Sequence, residues 1–187
     1  FAVTTDRIGR ILSPEFKGAG HAVTWLSPEY GEDGLPKAES QRSVLETVTK
    51  LSDQGKLLSA YTPTYGGIAE GVMKMAFGNG IGFAFAEPRS LNELFGYAYG
   101  SFVLEFKPGE DAVGMPLGNT TETDELTWRG EALTLTELLT AYESTLEPIY
   151  PCNIDQDAAE IPAFAAPADK WPTPRIKSLK PRVLIPV

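Results

Sequence analysis

The stretch Ser59-Ala60-Tyr61-Thr62-Pro63-Thr64-Tyr65-Gly66-Gly67-Ile68-Ala69-Glu70 has residue types and spacing that could do chemistry. A β-favouring run leads into a short turn, and two glycines open the segment that follows. Free N–H groups at a helix N-terminus attract an anion, and glycine lets the backbone approach it closely. The hydroxyls of Thr62 and Thr64 would add donors. As a site, Thr62, Thr64, Gly66 and Gly67 would hold a phosphate or a carboxylate. As structure, the glycine pair simply permits close packing of helix on sheet, and a two-glycine turn is weak evidence for the first reading.

Other candidates are thinner. In Phe95-Gly96-Tyr97-Ala98-Tyr99-Gly100-Ser101, either tyrosine could stack on a ring, or both could lie half-buried at a sheet edge. His21 is the single histidine and has no evident carboxylate partner nearby in sequence, so a surface or structural role is expected. Cys152 is the single cysteine and lacks neighbouring basic residues that would lower its pKa. The acidic groups Glu29, Glu32, Asp33 and Glu122, Asp124, Glu125 fall in loops and read as solvated charge rather than a metal site. No nucleophile–base pair, metal cluster or complete phosphate loop emerges.

Composition narrows the options further. With one cysteine and one histidine, an intrachain disulfide and a zinc site of several Cys or His ligands are excluded. A formal charge of −9 argues against nucleic acid or an anionic membrane as the main partner. No apolar run approaches the roughly 18 residues a membrane helix needs. The first residues lack the pattern of a signal peptide. A soluble cytoplasmic domain is expected. Phe1 and the apolar run Val183–Val187 suggest that both ends are cut from a longer protein.

These side chains must be positioned by an alternation of strands and helices. Strands are expected at Ala22–Leu26, Leu57–Thr62, Ile81–Ala86 and Phe102–Phe106, with weaker ones near Ala112–Gly118 and Leu126–Leu133. Val44, Leu45, Val48 and Leu51 recur at helical spacing from Ala38 to about Gln54. Ile68, Val72, Met75 and Ala76 share a second helical face that ends at Gly78-Asn79-Gly80. Ser90-Leu91-Asn92-Glu93 and Thr134-Leu135-Thr136-Glu137 match capping boxes. Behind the second box, Leu135, Leu138, Leu139, Tyr142 and Leu146 form one stripe, expected to be core. The fold class is α/β (α+β), a mixed sheet flanked by helices. Eight of the 15 prolines lie after Glu147, so residues 148–187 read as an extended tail behind a domain of residues 1–147.

Taken in order, several segments resemble one superfamily. Ser13-Pro14-Glu15-Phe16-Lys17-Gly18-Ala19-Gly20 fits the "SxxFKxAG" opening of the C-terminal domain of aminoimidazole ribonucleotide (AIR) synthetase-like proteins. Tyr61-Thr62-Pro63-Thr64-Tyr65-Gly66-Gly67 stands where that family has a His-Asp-x-Ser-Asp-Gly-Gly-like turn. Leu91-Asn92-Glu93-Leu94-Phe95-Gly96, followed by a Phe-Val-Leu-Glu strand, is similar too. Ser144–Pro151 and Lys180-Pro181-Arg182-Val183-Leu184-Ile185-Pro186-Val187 resemble the large-type phosphoribosylformylglycinamidine synthases. There they correspond to the end of the second such domain and the first strand of the glutaminase domain.

That resemblance implies a whole enzyme of de novo purine biosynthesis, an ATP-dependent ligase with glutamine amidotransferase activity. It would use ATP and Mg, with formylglycinamide ribonucleotide and glutamine as substrates. ATP activates the amide oxygen as a phosphate ester, which ammonia displaces. Such enzymes carry two synthetase-like copies, one active and one degenerate with an auxiliary nucleotide. Tyr61-Thr62 replaces the His-Asp pair and Thr64-Tyr65 the Ser-Asp pair. Tyr97-Ala98-Tyr99 stands where a Glu-Ser-x run is expected. The degenerate copy is therefore implied, with no catalytic residue and no cofactor requirement of its own. Its partners would be the other synthetase-like domains and the glutaminase domain of the same chain, and the isolated piece could form a homodimer. The rival readings are a phosphate-binding domain of another AIR synthase-like ATP-dependent enzyme, and a protein-interaction module.

Overall fold

The computed structural model describes residues 10–86 and 89–151 of the 187-residue chain. Its elements are β1 (Ala22–Leu26), α1 (Ala38–Asp53), β2 (Leu57–Tyr61), α2 (Gly67–Asn79), β3 (Gly82–Phe85), α3 (Leu91–Leu94), β4 (Phe102–Phe106), β5 (Met115–Thr121), β6 (Glu125–Trp128), β7 (Glu131–Thr134) and α4 (Leu135–Ser144). The strands form one sheet in the order β2-β4-β1-β5-β3-β6-β7. Neighbours run antiparallel except β3 and β6, which are parallel, so the sheet is mixed.

Strand alternation explains the two cores. Successive side chains of a strand point to opposite faces, and β4 is apolar on both. Its Val103 joins Val23, Phe83 and Leu117 beneath Ile68, Val72, Met75 and Ala76 of α2, with Leu94 and Leu135 from α3 and α4. Its Leu104 and Phe106 join Leu57 beneath Leu51 of α1, with Val48 packed against them. Helix α1 therefore covers the opposite face from α2, α3 and α4. The expected α2 stripe does this in full, and the expected α1 stripe does so through Val48 and Leu51, while Leu45 is exposed.

Both capping boxes form. Ser90 and Thr134 each accept from the N–H three residues on, and Glu93 and Glu137 reach back to the cap N–H. Gly80 ends α2 in a left-handed conformation at φ 65°, which glycine adopts without the steric cost other residues meet.

Three expectations need correction. The run Leu126–Leu133 is not one strand: Arg129 and Gly130 take positive φ and fold it into the β6–β7 hairpin. The strand expected at Ala112–Gly118 begins only at Met115 and runs to Thr121, because its pairing partners β1 and β3 reach that far. Helix α4 ends at Ser144, and its stripe is core only at Leu135 and in part at Leu138. Leu139, Tyr142 and Leu146 are exposed, although the Tyr142 ring meets Phe77 and Lys74 of α2 along one side. The readings of Cys152, of the Pro-rich tail beyond it and of the run Val183–Val187 lie outside the described residues.

Candidate functional site

The β2–α2 turn is built by packing. Gly67 takes φ +67°, and a Cβ there would stand 2.7 Å from the carbonyl oxygens of both Leu94 and Gly96. The loop behind α3 thus presses backbone to backbone on the start of α2, and only glycine fits. Gly71, one turn later, lets the Tyr61 ring lie against the helix, 3.2 Å from where a Cβ would be.

Three donors of the turn are already engaged. The Gly66 N–H donates to Glu70 Oε2 at 2.8 Å, and the Thr64 hydroxyl donates to the same oxygen at 3.3 Å. The Gly67 N–H donates to the Thr64 carbonyl at 3.1 Å. Lys74 pairs with Glu70 Oε1 at 2.6 Å. Its ammonium foremost, and the Gly66 N–H after it, hold the Glu70 carboxyl below its ordinary range against the contrary effect of burial. Glu70 in turn raises the Lys74 pKa. Thr62 is exposed and Pro63 buried. The structure thus brings Thr64, Gly66 and Gly67 together around a carboxylate of the chain's own.

An apolar cavity of about 240 Å³ lies beside this turn. Met73, Phe85, Leu94, Leu126, Trp128 and Leu138 line it, with Glu70 at its margin. Sequence reading missed it, because its walls come from helices and strands far apart in the chain.

A second polar centre was also missed. Glu105 of β4 is buried without exposed side-chain surface, and its Oε1 lies 2.7 Å from His21 Nδ1. The Ser59 hydroxyl donates to Oε2 at 2.6 Å. The Lys17 N–H donates to both oxygens, at 3.0 and 3.1 Å. No carboxylate partner for His21 is evident nearby in sequence, and the structure supplies a distant one. The partner is 84 residues away, and β1–β4 pairing brings it near by setting Val23 opposite Glu105. The Lys17 ammonium pairs with Glu15, whose carboxyl it and the Ser13 hydroxyl hold at about 2.

Tyr97 lies edge-on to Tyr30 at 5.5 Å and tilted against Tyr99 at 4.8 Å. These rings pack on one another and remain partly exposed. Among the described residues, no group of three or more His, Cys, Asp or Glu side chains could hold a metal ion. A nucleotide phosphate at the turn would meet the Glu70 carboxylate in this conformation.

A mixed sheet with helices on both faces and a glycine turn feeding α2 defines an α/β domain. No family model matches the chain, and no curated protein matches it. Solved structures do. PurL of Thermotoga maritima complexed with ATP aligns at TM-score 0.61 and 9% identity, over 71% of this chain and 28% of that one. The same protein complexed with FGAR aligns at 0.60 and 10% identity, over 86% and 33%. Phosphoribosylformylglycinamidine synthase II from T. maritima aligns at 0.60 and 12% identity, over 87% and 31%. This chain has the fold of part of those synthases and spans about a third of their length or less.

Proposed function

We propose that the chain is a piece of a formylglycinamide ribonucleotide amidotransferase, the ATP-dependent enzyme that makes formylglycinamidine ribonucleotide in purine biosynthesis. Residues 1–147 are the C-terminal domain of its second synthetase-like half. Residues 148–187 are the linker and first strand leading to a glutaminase domain. The whole enzyme is cytoplasmic and uses ATP, Mg and glutamine. This half is non-catalytic: it pairs with the other synthetase-like domains, holds an auxiliary nucleotide and docks the glutaminase.

One observation carries this reading. The family-like segments Ser13–Gly20, Tyr61–Gly67 and Leu91–Gly96 occur, in order, in a fold that aligns with T. maritima PurL over 86% of the chain. The replacement of the acidic and histidine positions by Tyr61, Thr62, Thr64 and Tyr65 supports the non-catalytic assignment. Thr62, Thr64, Gly66 and Gly67 are the proposed contacts for a nucleotide phosphate, which would have to displace Glu70.

The test is an amidotransferase assay on the 187-residue chain and on the full-length protein. Product from the full-length protein and none from the chain alone is expected. Product from the chain alone refutes the non-catalytic role, and none from the full-length protein refutes the family reading.

A further inference from the structure

Among the buried described residues, Glu105 is the only one with an ionisable side chain. Removing a carboxylate from water is expensive unless donors replace the water. Here the donors are specific. The Lys17 N–H and the Ser59 hydroxyl both point at it, at 3.0–3.1 Å and 2.6 Å. Toward a backbone N–H a carboxylate can only accept, so Glu105 serves as an acceptor centre. The third group on it is His21 Nδ1. With the proton on Nδ1, all the contacts to Glu105 are donor to acceptor.

The His21 backbone and one edge of its ring are held. The His21 N–H donates to Thr120 Oγ1 at 2.9 Å, and its carbonyl accepts from the Thr120 N–H at 3.0 Å. Gly18 lies against the ring edge: a Cβ there would be 2.8 Å from His21 Cε1. The side chain keeps 14% of its surface exposed. Among the described residues nothing hydrogen-bonds Nε2, and it is not among the buried atoms without a partner, so it reaches solvent. A histidine whose other nitrogen is held by a carboxylate is the arrangement by which proteins orient a base.

We infer that His21 is an outward-facing base, oriented by Glu105, whose Nε2 receives a proton or hydrogen bond from a hydroxyl, amine or amide N–H of a ligand. This inference stands apart from the proposed function, which assigns the domain no such group.

The test uses the single histidine of the chain. In the ¹⁵N-labelled 187-residue protein at neutral pH, the imidazole signals should show the proton on Nδ1 and an unprotonated Nε2. A proton on Nε2 overturns the inference. Diethyl pyrocarbonate is the reactive probe. Nε2 attacks one carbonyl carbon, the bond to the ethyl carbonate breaks, and that group takes up the imidazole proton and decomposes to ethanol and carbon dioxide. His21 should be carbethoxylated as fast as Nα-acetylhistidine, and Glu105→Gln should lower the rate several-fold. An unreactive His21, or a folded Glu105→Gln variant that reacts like the parent, overturns the inference. If Glu105→Gln does not fold, the tautomer and reactivity of the unmodified protein decide.

Discussion

Glu70 Oε2 sits 2.8 Å from the Gly66 amide nitrogen, in the position a bound anion would take at the start of α2. A side chain one helical turn along thus satisfies the turn from within. Four expectations follow from this and from the packing around it.

Glu70→Gln keeps the size of the side chain and removes its charge. Loss of the Lys74 pair and weakening of the cap should cost about 1 kcal/mol at neutral pH. Because the folded-state pKa of Glu70 lies below its ordinary 4.5, its contribution is full above that value. It is lost as pH falls through the lower folded pKa. Urea midpoints of parent and variant should therefore converge on acidification below the ordinary carboxylate range. A constant gap down to the acid-unfolding limit refutes the assignment.

Gly67 and Gly80 both take positive φ, but their surroundings differ. A Cβ at Gly67 meets backbone carbonyls, and one at Gly80 meets nothing within 4 Å. Gly80→Ala should cost only the left-handed penalty of about 1–2 kcal/mol. Gly67→Ala should cost clearly more, because the α3 loop must also move. Equal losses in chemical denaturation contradict the close approach.

Phe16 is fully buried and stacks on Phe83 at 5.7 Å. Its N–H and carbonyl are tied to Met75 and Asn79, so the loop cannot readily collapse into a void. Phe16→Ala should destabilise by about 3–5 kcal/mol. A loss under 1 kcal/mol would place the loop off the core.

Leu135, at the start of α4, is 7% exposed, and Leu146, just beyond its end, is 61% exposed. Leu135→Ala should cost about 2–5 kcal/mol, whereas Leu146→Ser should stay within about 0.5 kcal/mol. Comparable losses from thermal unfolding would mean that the stripe is covered in solution.

Much of this was legible in residue order. Strand β4 was expected at Phe102–Phe106 and occurs there, because a β-favouring apolar run bounded by turn residues has few other uses. The capping boxes at Ser90 and Thr134 were legible for the same local reason: donor and acceptor lie three residues apart. The hairpin at Arg129–Gly130 was not, since neither residue forms a strong turn pair with its neighbours. The α4 stripe misled because periodicity reports which residues share a face, not whether anything covers it.

The site divides the same way. By itself the sequence determined most of the helices and strands and the glycine pair at the turn, all of them properties of contiguous residues. Only the tertiary structure decided that Glu70 fills the turn, that Gly67 is held by the loop behind α3, and that His21 has a carboxylate beneath it. Sheet pairing places Glu105 and Ser59 side by side, and the Ser13–Gly20 loop folds over them. Such contacts depend on register between distant strands, which no local spacing encodes.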